Sequence, residues 1–377
     1  MMKSGKSDVT GSYTSDVLLN APDIVFENIA EVFKSFLVHG DVTIELLSCA
    51  FLPLFKGGLK DPSKSDNYRD IAGSSQLLKL FDYVILLIWG HILTSDSLQF
   101  GFKPDSSTTQ CSWMVMEVAA HFLRAGVPVI ATLLDCSKAF DKCVFSKLFQ
   151  KLVDKKLPAI IIRVLIFVYE EQKGCVKLAG VISSSFNITN GTRQGAILSP
   201  ILFNLYTDDM IKGLRELGLG CYVQGMWMGC SAYADDLILL SPSRESMAKM
   251  LKFCEEYASD HNLVFSTDPN PKKSKSKCLY LCGKKITQYP AALQLCGSNL
   301  PWVMSATHLG HELHQQCSMD YDIKVKKAIY IDTTVDIRET FTFAHPAQVL
   351  KAVNTDAGDH YGSMFWDLGS DMVGQYC

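Results

Sequence analysis

The sequence predicts a mixed α+β fold in which a sheet that includes a β-hairpin is combined with helices. Residues 129–134 are a continuous apolar run, which is typical of a strand buried on both faces. Residues 229–240 place two adjacent acids between two apolar runs, which is the pattern of a β-hairpin with a polar tip. Residues 23–40 and 109–124 instead repeat their apolar residues at helical spacing, so helices accompany the sheet.

The composition indicates a globular chain with a sizeable core, because 48% of the 377 residues are hydrophobic and 20% are charged. A chain of this length has room for about two or three domains, or for one large domain with subdomains. The 36 basic and 39 acidic residues give a net charge of -3, so any contact with phosphates would depend on local clusters of positive charge.

The thirteen cysteines are scattered and include no Cys-x-x-Cys pair, which predicts a reduced, intracellular protein. Residues 1–9 are polar and do not predict a secretory signal. The longest apolar run, residues 83–93, is too short to span a bilayer, so we expect no membrane partner.

The elements of the first part of the chain follow from apolar periodicity and from the residues that cap or interrupt it. Asp23 is a candidate N-cap for the first long helix, and Gly40 ends it. Residues 1–20 are polar and are expected to be loose. We therefore expect a helix over 23–40, a strand over 50–56, a polar connector over 57–66, and helices over 75–93 and 109–124.

Later elements are marked by Ser-Pro pairs as well as by periodicity. Ser199 as N-cap and Pro200 as first helical residue predict one helix start, and Ser241-Pro242 predicts another. We expect helices over 144–153, 159–169, 199–214 and 241–261, a glycine-containing loop over 189–199, and a strand over 264–267.

The two acids at the hairpin tip, Asp235 and Asp236, are candidate metal ligands. Adjacent carboxylates repel each other, and a divalent cation between them would relieve that repulsion. A solvated turn is the alternative, because acids are common in turns. Asp135 ends the apolar strand and offers a third carboxylate, although it could instead cap the helix that follows. Three carboxylates around two divalent ions would suit phosphoryl transfer.

Six stretches together resemble reverse transcriptases, and most closely those of non-LTR (LINE-type) retrotransposons. They occur in the order and approximate separation of that family and span about residues 40–315. The strongest are Tyr233-Ala234-Asp235-Asp236, residues 133–141 and residues 190–200; the others are residues 67–81, 98–104 and 308–311.

The resemblance implies a right-hand polymerase with fingers, palm and thumb. In such a fold, a small antiparallel sheet packed on helices forms the palm. The expected divisions are an N-terminal extension over 1–40, fingers over 41–125, a palm with inserted fingers elements over 126–290, and a primer-grip hairpin with a partial thumb over 291–377.

The resemblance also implies roles for individual residues. Asp135, Asp235 and Asp236 would be the catalytic ligands of two Mg²⁺ ions, with Mn²⁺ as an alternative. Phe140 would crowd the 2′ position of the incoming nucleotide and so select deoxynucleotides. Gln194 and Gly195 would form the loop beside that nucleotide, where glycine allows close backbone approach.

Basic residues are implied in binding and in proton transfer. Arg69 and Lys103 would contact the triphosphate, with a surface ion pair as the alternative for each. The lysine-rich run that begins at residue 272 is either a solvated loop or a phosphate-binding surface. Lys273, Lys275 and Lys277 each match the position of the lysine that would act as general acid and protonate the departing pyrophosphate. Of the three, we favour Lys275.

Three further features complete the interpretation of the motifs. Leu309 and Gly310 lie in the segment that resembles the primer grip. Asp208-Asp209 is another acid pair, but its helical position predicts a solvated face. His308, His311, His314 and Cys317 repeat every three residues, and this spacing does not favour zinc.

The leading interpretation is an RNA-directed DNA polymerase of a LINE-type element that extends a primer 3′-hydroxyl on an RNA template, with RNA template, DNA primer and dNTPs as partners. A truncated, non-catalytic nucleic-acid-binding relic is the alternative, because no endonuclease is recognisable and the chain ends soon after the expected thumb begins. A maturase-like protein is favoured less, since no splicing domain is recognisable. Cytoplasmic or nuclear action is expected. The sequence does not define the oligomeric state.

Overall fold

The computed structural model describes residue 5, residues 14–57, 61–178, 180–268, 270, 273–286, 288–340, and residue 348. Residues 341–347 and 349–377, which belong to the expected thumb, lie outside this description, as do most of the first thirteen residues. The helices are α1 Ser15–Leu19, α2 Asp23–His39, α3 Gln76–Trp89, α4 Thr108–Arg124, α5 Phe145–Asp154, α6 Ala159–Glu170, α7 Ser199–Glu216, α8 Arg244–Asp260 and α9 Asp320–Thr340.

The strands are mostly short. They are β1 Ser48–Phe55, β2 Tyr68–Gly73, β3 Val129–Asp135, β4 Lys173–Leu178, β5 Val181–Ile182, β6 Phe186–Asn187, β7 Tyr222–Val223, β8 Met226–Trp227, β9 Cys230–Tyr233, β10 Asp236–Ser241, β11 Lys277–Leu281, β12 Gln294–Leu295, β13 Ser298–Asn299, β14 Trp302–Val303, β15 Ser305–His308 and β16 His311–His314.

Most predicted elements are confirmed to within a few residues at their ends, and three details are wrong. Pro22, rather than Asp23, is the N-cap of α2. Ser199 is itself the first residue of α7, and its hydroxyl donates to the carbonyl oxygen of Arg193. The strand predicted over 264–267 is reduced to a single bridge between Phe265 and Cys136.

The chain divides into two compact units, each assembled from three segments. The first comprises Met1–Asp96, Ser137–Asp209 and Ala258–Val264, and the second comprises Ser97–Cys136, Met210–Tyr257 and Phe265–Cys377. In the first unit, β1 pairs with β2 in antiparallel and with β4 in parallel orientation, and β4 pairs further with β5 and β6. Strands β2 and β4 were not predicted.

The sheet of the second unit has the order β14-β11-β3-β10-β9. Its central strand β3 is buried along most of its length, as its apolar run predicts. Antiparallel pairing joins β3 to β10 and β11, and β10 to β9. Helix α4 packs on this sheet, where Cys111 and the Ser231 hydroxyl form a hydrogen bond of 2.9 Å. The small antiparallel sheet packed on helices is therefore confirmed, although β14 adds a parallel edge.

The predicted solvated face at Asp208-Asp209 is wrong for Asp208, which is 2% exposed. Its carboxylate accepts a hydrogen bond of 2.6 Å from the backbone N–H of Asp96 and lies 3.8 Å from the ammonium of Lys155. Asp209 is half exposed and pairs with Lys151. Tertiary partners, which helical spacing does not report, explain the burial.

None of the helices that the structure describes combines the length and the apolar character needed to cross a bilayer.

Candidate active site

The acid pair lies on a tight hairpin in the second unit. Tyr233 and Asp236 are directly opposite each other across β9 and β10, so Ala234 and Asp235 form a two-residue turn. Ala234 has a φ of 57°, in the left-handed region that hairpin turns of this length use. The predicted hairpin is confirmed, with Asp235 in the turn and Asp236 as the first residue of β10.

Asp135 reaches the same edge of the sheet from the neighbouring strand. It is opposite Asp236 in the antiparallel register of β3 and β10. Its backbone N–H donates to the Ser276 hydroxyl at 3.1 Å, and its carbonyl accepts from the Ser266 N–H at 2.7 Å. The second unit therefore brings together the three carboxylates that the sequence singled out.

Burial, together with neighbouring negative charge, raises the pKa of two of these carboxyl groups. Burial, followed by the charges of Asp235 and Asp135, raises the pKa of Asp236 to about 6. Burial also raises the pKa of Asp235, with Asp135 adding to the effect and Lys275 opposing it. Lys275 places its ammonium 3.4 Å from a carboxylate oxygen of Asp135. This one lysine supplies positive charge to a cluster that carries three negative charges when fully ionised.

The donor set fits a hard divalent cation in its chemistry. Carboxylate oxygens are the ligands that Mg²⁺ prefers, and burial with neighbouring carboxylates raises the pKa of Asp235 and Asp236, an effect that a bound cation would oppose. Over the residues that the structure describes, no three His, Cys, Asp or Glu side chains are arranged to hold one metal ion. Coordination by Asp135, Asp235 and Asp236 is therefore proposed below.

The first unit carries the predicted nucleotide-loop residues. The side-chain amide of Gln194 donates to the carboxylate of Asp141 at 2.6 Å. Gly195 has a φ of 79°, and a Cβ there would overlap the carbonyl oxygen of Ala72, so this position needs glycine. The Phe140 ring stacks on Phe203 with 4.2 Å between ring centroids, which fixes its orientation.

A buried acid that sequence reasoning missed supports this loop. Asp82, in α3, accepts a hydrogen bond of 3.1 Å from the Ile197 N–H. Burial raises the pKa of Asp82, and the nearby guanidinium of Arg193 opposes that effect. Both side chains are buried. An acid within an apolar helix was the available signal.

The remaining predicted residues are divided between the units. In the first unit, Arg69 is exposed on β2, opposite Leu54 of β1. In the second unit, Lys103 is partly exposed. Leu309 and Gly310 form the two-residue turn between β15 and β16, both with positive φ. The segment that resembles the primer grip is thus a hairpin.

Gln99 is the other residue that sequence reasoning missed. It is 1% exposed, and its side-chain amide hydrogen-bonds to the backbone of Ala234 in the turn that carries the acids. It lies within residues 98–104, one of the stretches that resemble reverse transcriptases. A glutamine between apolar residues, however, gives no local sign of such a contact.

Comparison with known families agrees with this geometry. The family model for the reverse transcriptase (RNA-dependent DNA polymerase) matches residues 59–313, which is more than half of the chain. The chain therefore belongs to the reverse transcriptase family. It is related to the polymerases of non-LTR retrotransposons, as the following relatives indicate.

The retrovirus-related Pol polyprotein from the type-1 retrotransposable element R2 of Nasonia vitripennis is 26% identical over 69% of this chain and 25% of its own length. The RNA-directed DNA polymerase from the mobile element jockey of Drosophila funebris is 28% identical over 59% of this chain and 24% of its own. The chain thus spans about a quarter of the length of these curated relatives.

Among solved structures, apo telomerase from Candida Tropicalis, truncated from its C-terminal domain, matches 73% of this chain and 55% of its own. The TM-score is 0.47 and the sequence identity is 12%.

Proposed function

We propose that this chain extends a primer 3′-hydroxyl with dNTPs on an RNA template, as the polymerase part of a LINE-type retrotransposon protein. The observation that carries the proposal is the register that sets Asp135 opposite Asp236 and leaves Asp235 in the adjoining turn. Membership of the reverse transcriptase family supports the same reaction.

Asp135, Asp235 and Asp236 would hold divalent metal, two Mg²⁺ ions or Mn²⁺ in their place. When bound, the metal supplies charge stabilisation to the oxygens of the reacting phosphate. Three carboxylates at one end of the sheet suit this task because a bound cation would relieve their mutual repulsion. The pairing of β3 with β10 and of β10 with β9 would hold their backbone positions together.

Lys275 is the proposed general acid for the departing pyrophosphate. Of the three lysines that fit by position, its ammonium forms an ion pair with Asp135 at 3.4 Å, and its side chain is exposed enough to move toward a ligand. Proton donation by a positioned ammonium contributes to rate when the leaving group gains negative charge.

Residues of the first unit would bind and select the nucleotide. The Phe140 ring, held by its stacking on Phe203, would exclude a 2′-hydroxyl. Gln194, anchored by Asp141, and Gly195 would line the nucleotide. Arg69 and Lys103 are the proposed contacts to the triphosphate, and Leu309 and Gly310 would position the primer.

The division into an extension, fingers, palm and thumb with the expected boundaries is part of the same proposal. So are action in the cytoplasm or nucleus and the partners, namely RNA template, DNA primer and dNTPs.

Primer extension tests the proposal. Oligo(dT) annealed to poly(rA) is incubated with the chain, dTTP and Mg²⁺, and the same reaction is run with Asp235→Asn and with Asp154→Asn, an exposed acid in α5. We expect extension by the unchanged chain and by Asp154→Asn, and at least a 1000-fold loss for Asp235→Asn, on the order of the loss of an essential catalytic group. If the unchanged chain and Asp235→Asn are equally inert while both bind the RNA, the polymerase proposal is wrong and the binding relic replaces it.

A further inference from the structure

The turn that carries Asp235 is held from outside the hairpin by one buried side chain. The Gln99 carbonyl oxygen accepts the Ala234 N–H at 2.8 Å, and the Gln99 amide donates to the Ala234 carbonyl oxygen at 3.2 Å. Both backbone polar groups of Ala234 are thus bound by the same amide. Two hydrogen bonds from one planar group fix orientation as well as distance.

The segment around Gln99 is itself fixed to the hairpin. Gln99 bridges Ala232 of β9, with hydrogen bonds from Phe100 N–H to the Ala232 oxygen at 2.7 Å and from Ala232 N–H to the Leu98 oxygen at 2.9 Å. The Gly101 N–H donates to the Gln99 oxygen at 2.9 Å and so orients the amide. The side chain therefore acts from a rigid base and has three of its hydrogen-bonding positions filled.

Gly101 is required for this arrangement. A Cβ at position 101 would overlap the backbone nitrogen of Ala234 and lie 3.1 Å from the Gln99 oxygen. Any larger residue would push the turn away from the amide that holds it. The close approach of the Gly101 backbone to Ala234 is thus needed for the hydrogen bonds between Gln99 and Ala234.

The turn needs such support for two reasons. Ala234 has a left-handed φ of 57°, a conformation that a residue with a side chain rarely adopts. Asp235 and Asp236, at the tip of the hairpin, are also repelled by each other and by Asp135 of β3, which favours displacement of the tip when no cation is present. A buried amide that binds both polar groups of the turn residue opposes both tendencies.

We propose that Gln99 is a positioning residue, which holds the Ala234 turn so that Asp235 and Asp236 stay in register with Asp135. This role rests on the proposed function, because it matters only if these carboxylates hold metal. Gln99 touches neither substrate nor metal in this role, and acts through the backbone of Ala234.

Amide hydrogen exchange tests the contact independently of activity. Selective ¹⁵N-alanine labelling allows exchange at Ala234 to be followed beside Ala232, whose N–H is bound by a backbone oxygen instead. In Gln99→Met we expect exchange at Ala234 to accelerate at least about 10-fold while Ala232 is unchanged, because only the former loses its acceptor. Equal exchange rates at Ala234 in both proteins would overturn the proposal.

Metal binding and kinetics test the consequence. We expect Gln99→Met to weaken Mn²⁺ binding, measured by electron paramagnetic resonance, about 5-fold or more, and to lower kcat on poly(rA)/oligo(dT) about 10- to 100-fold with little change in KM for dTTP. Gln172→Met, in the first unit, removes a buried glutamine of matching exposure and should leave all three values within about 2-fold.

Gly101→Ala gives an independent test, because it keeps Gln99 and displaces the turn. It should reproduce the changes in Ala234 exchange, Mn²⁺ affinity and kcat that we expect for Gln99→Met. The positioning role would be overturned if either variant lost protection at Ala234 and kept normal Mn²⁺ affinity and kcat. If the unchanged chain neither binds Mn²⁺ nor extends the primer, the proposed function fails and the positioning role fails with it, whereas the exchange data still decide whether Gln99 holds the turn.

Discussion

Asp135 and Asp236 lie directly opposite each other in neighbouring antiparallel strands, where side chains of like charge destabilise a sheet. We expect Asp236→Asn to stabilise the metal-free chain by about 1 kcal/mol, which corresponds to a rise in Tm of roughly 1–2 °C. Mg²⁺ should raise the Tm of the unchanged chain and have little effect on Asp135→Asn, which lacks one proposed ligand. Differential scanning calorimetry with and without Mg²⁺ measures both effects. A lower Tm for metal-free Asp236→Asn would contradict the repulsion.

Lys275 forms an ion pair with Asp135 and is the proposed proton donor. We expect Lys275→Ala to lower kcat about 100-fold and to remove the decrease in rate at high pH that a lysine acid would cause. The pH profile of single-nucleotide incorporation measures this. Lys273→Ala is the matched control from the same basic run, and an equal loss in that variant would show that general charge, rather than a specific acid, is being measured.

The Phe140 ring stacks on Phe203, which restricts its rotation, and Phe140 is the proposed filter for the 2′ position of the nucleotide. We expect Phe140→Val to reduce the preference for dTTP over UTP about 10- to 100-fold, because removing bulk from a pocket gives discrimination of that order. Competing incorporation of the two nucleotides measures the preference. Phe51→Val, which alters another stacked ring of the first unit, should leave it unchanged. Equal use of dTTP and UTP by the unmutated chain would remove this role from Phe140.

Asp82 supports the nucleotide loop from inside the first unit. We expect Asp82→Asn to lower the free energy of unfolding by about 1–2 kcal/mol, because it weakens the hydrogen bond from the Ile197 N–H and removes a negative charge near the buried Arg193. KM for dTTP should rise about 10-fold, since Ile197 and the adjoining loop lose a fixed contact. Urea unfolding and steady-state kinetics measure these quantities. Asp154→Asn serves again as control, and a wild-type KM in Asp82→Asn would separate this acid from the loop.

A buried ion pair near the β15–β16 hairpin predicts a dependence of stability on pH. Asp322 accepts from Lys326 at 2.7 Å and from the Glu312 N–H at 3.0 Å. Burial by itself would raise the pKa of Asp322, but His311, Lys326 and the Glu312 N–H together lower it to about 2. Because the folded-state pKa is lower than the ordinary Asp value, the stabilisation is present above about pH 4. It is lost as pH falls from about 4 to about 2.

Asp322→Asn should therefore reduce the free energy of unfolding by about 2 kcal/mol at pH 7, and the difference should shrink toward zero as the pH approaches 2. Urea unfolding at pH 7 and at successively lower pH values measures it. Asp332→Asn, on the exposed side of the same helix, should change stability by less than about 0.5 kcal/mol. A difference for Asp322→Asn that persists undiminished at low pH would show that the charge of Asp322 is not its cause.

The sequence predicted those parts of the fold that local pattern determines. The apolar run that becomes β3 and the two runs that flank the hairpin are visible without any tertiary information, and Asp135 and Asp235 stand directly at their ends. The pairing of β3 with β10 depends on contacts between distant segments, and it was expected from family resemblance rather than from pattern.

The misses have a common physical cause, which is that their partners lie far away in the chain. Gln99 and Asp82 are defined by backbone groups more than one hundred positions distant, Ala234 and Ile197. Asp208 was expected to lie on a solvated helix face, yet it is buried and contacts Asp96 and Lys155. Local periodicity reports which face a residue occupies, and it does not report what covers that face.

The separation of the acids along the chain has a consequence for the order of folding. Asp135 is synthesised about 100 residues before Asp236, so at typical rates of translation its partner appears roughly 5–20 s later. During that interval β3 is an apolar segment that lacks its neighbouring strand β10. Such a segment must be kept from associating with other nascent chains. The carboxylates meet only when this late, long-range pairing forms. Their repulsion therefore arises only when β10 pairs with β3, and it does not hinder the folding of segments synthesised before β10.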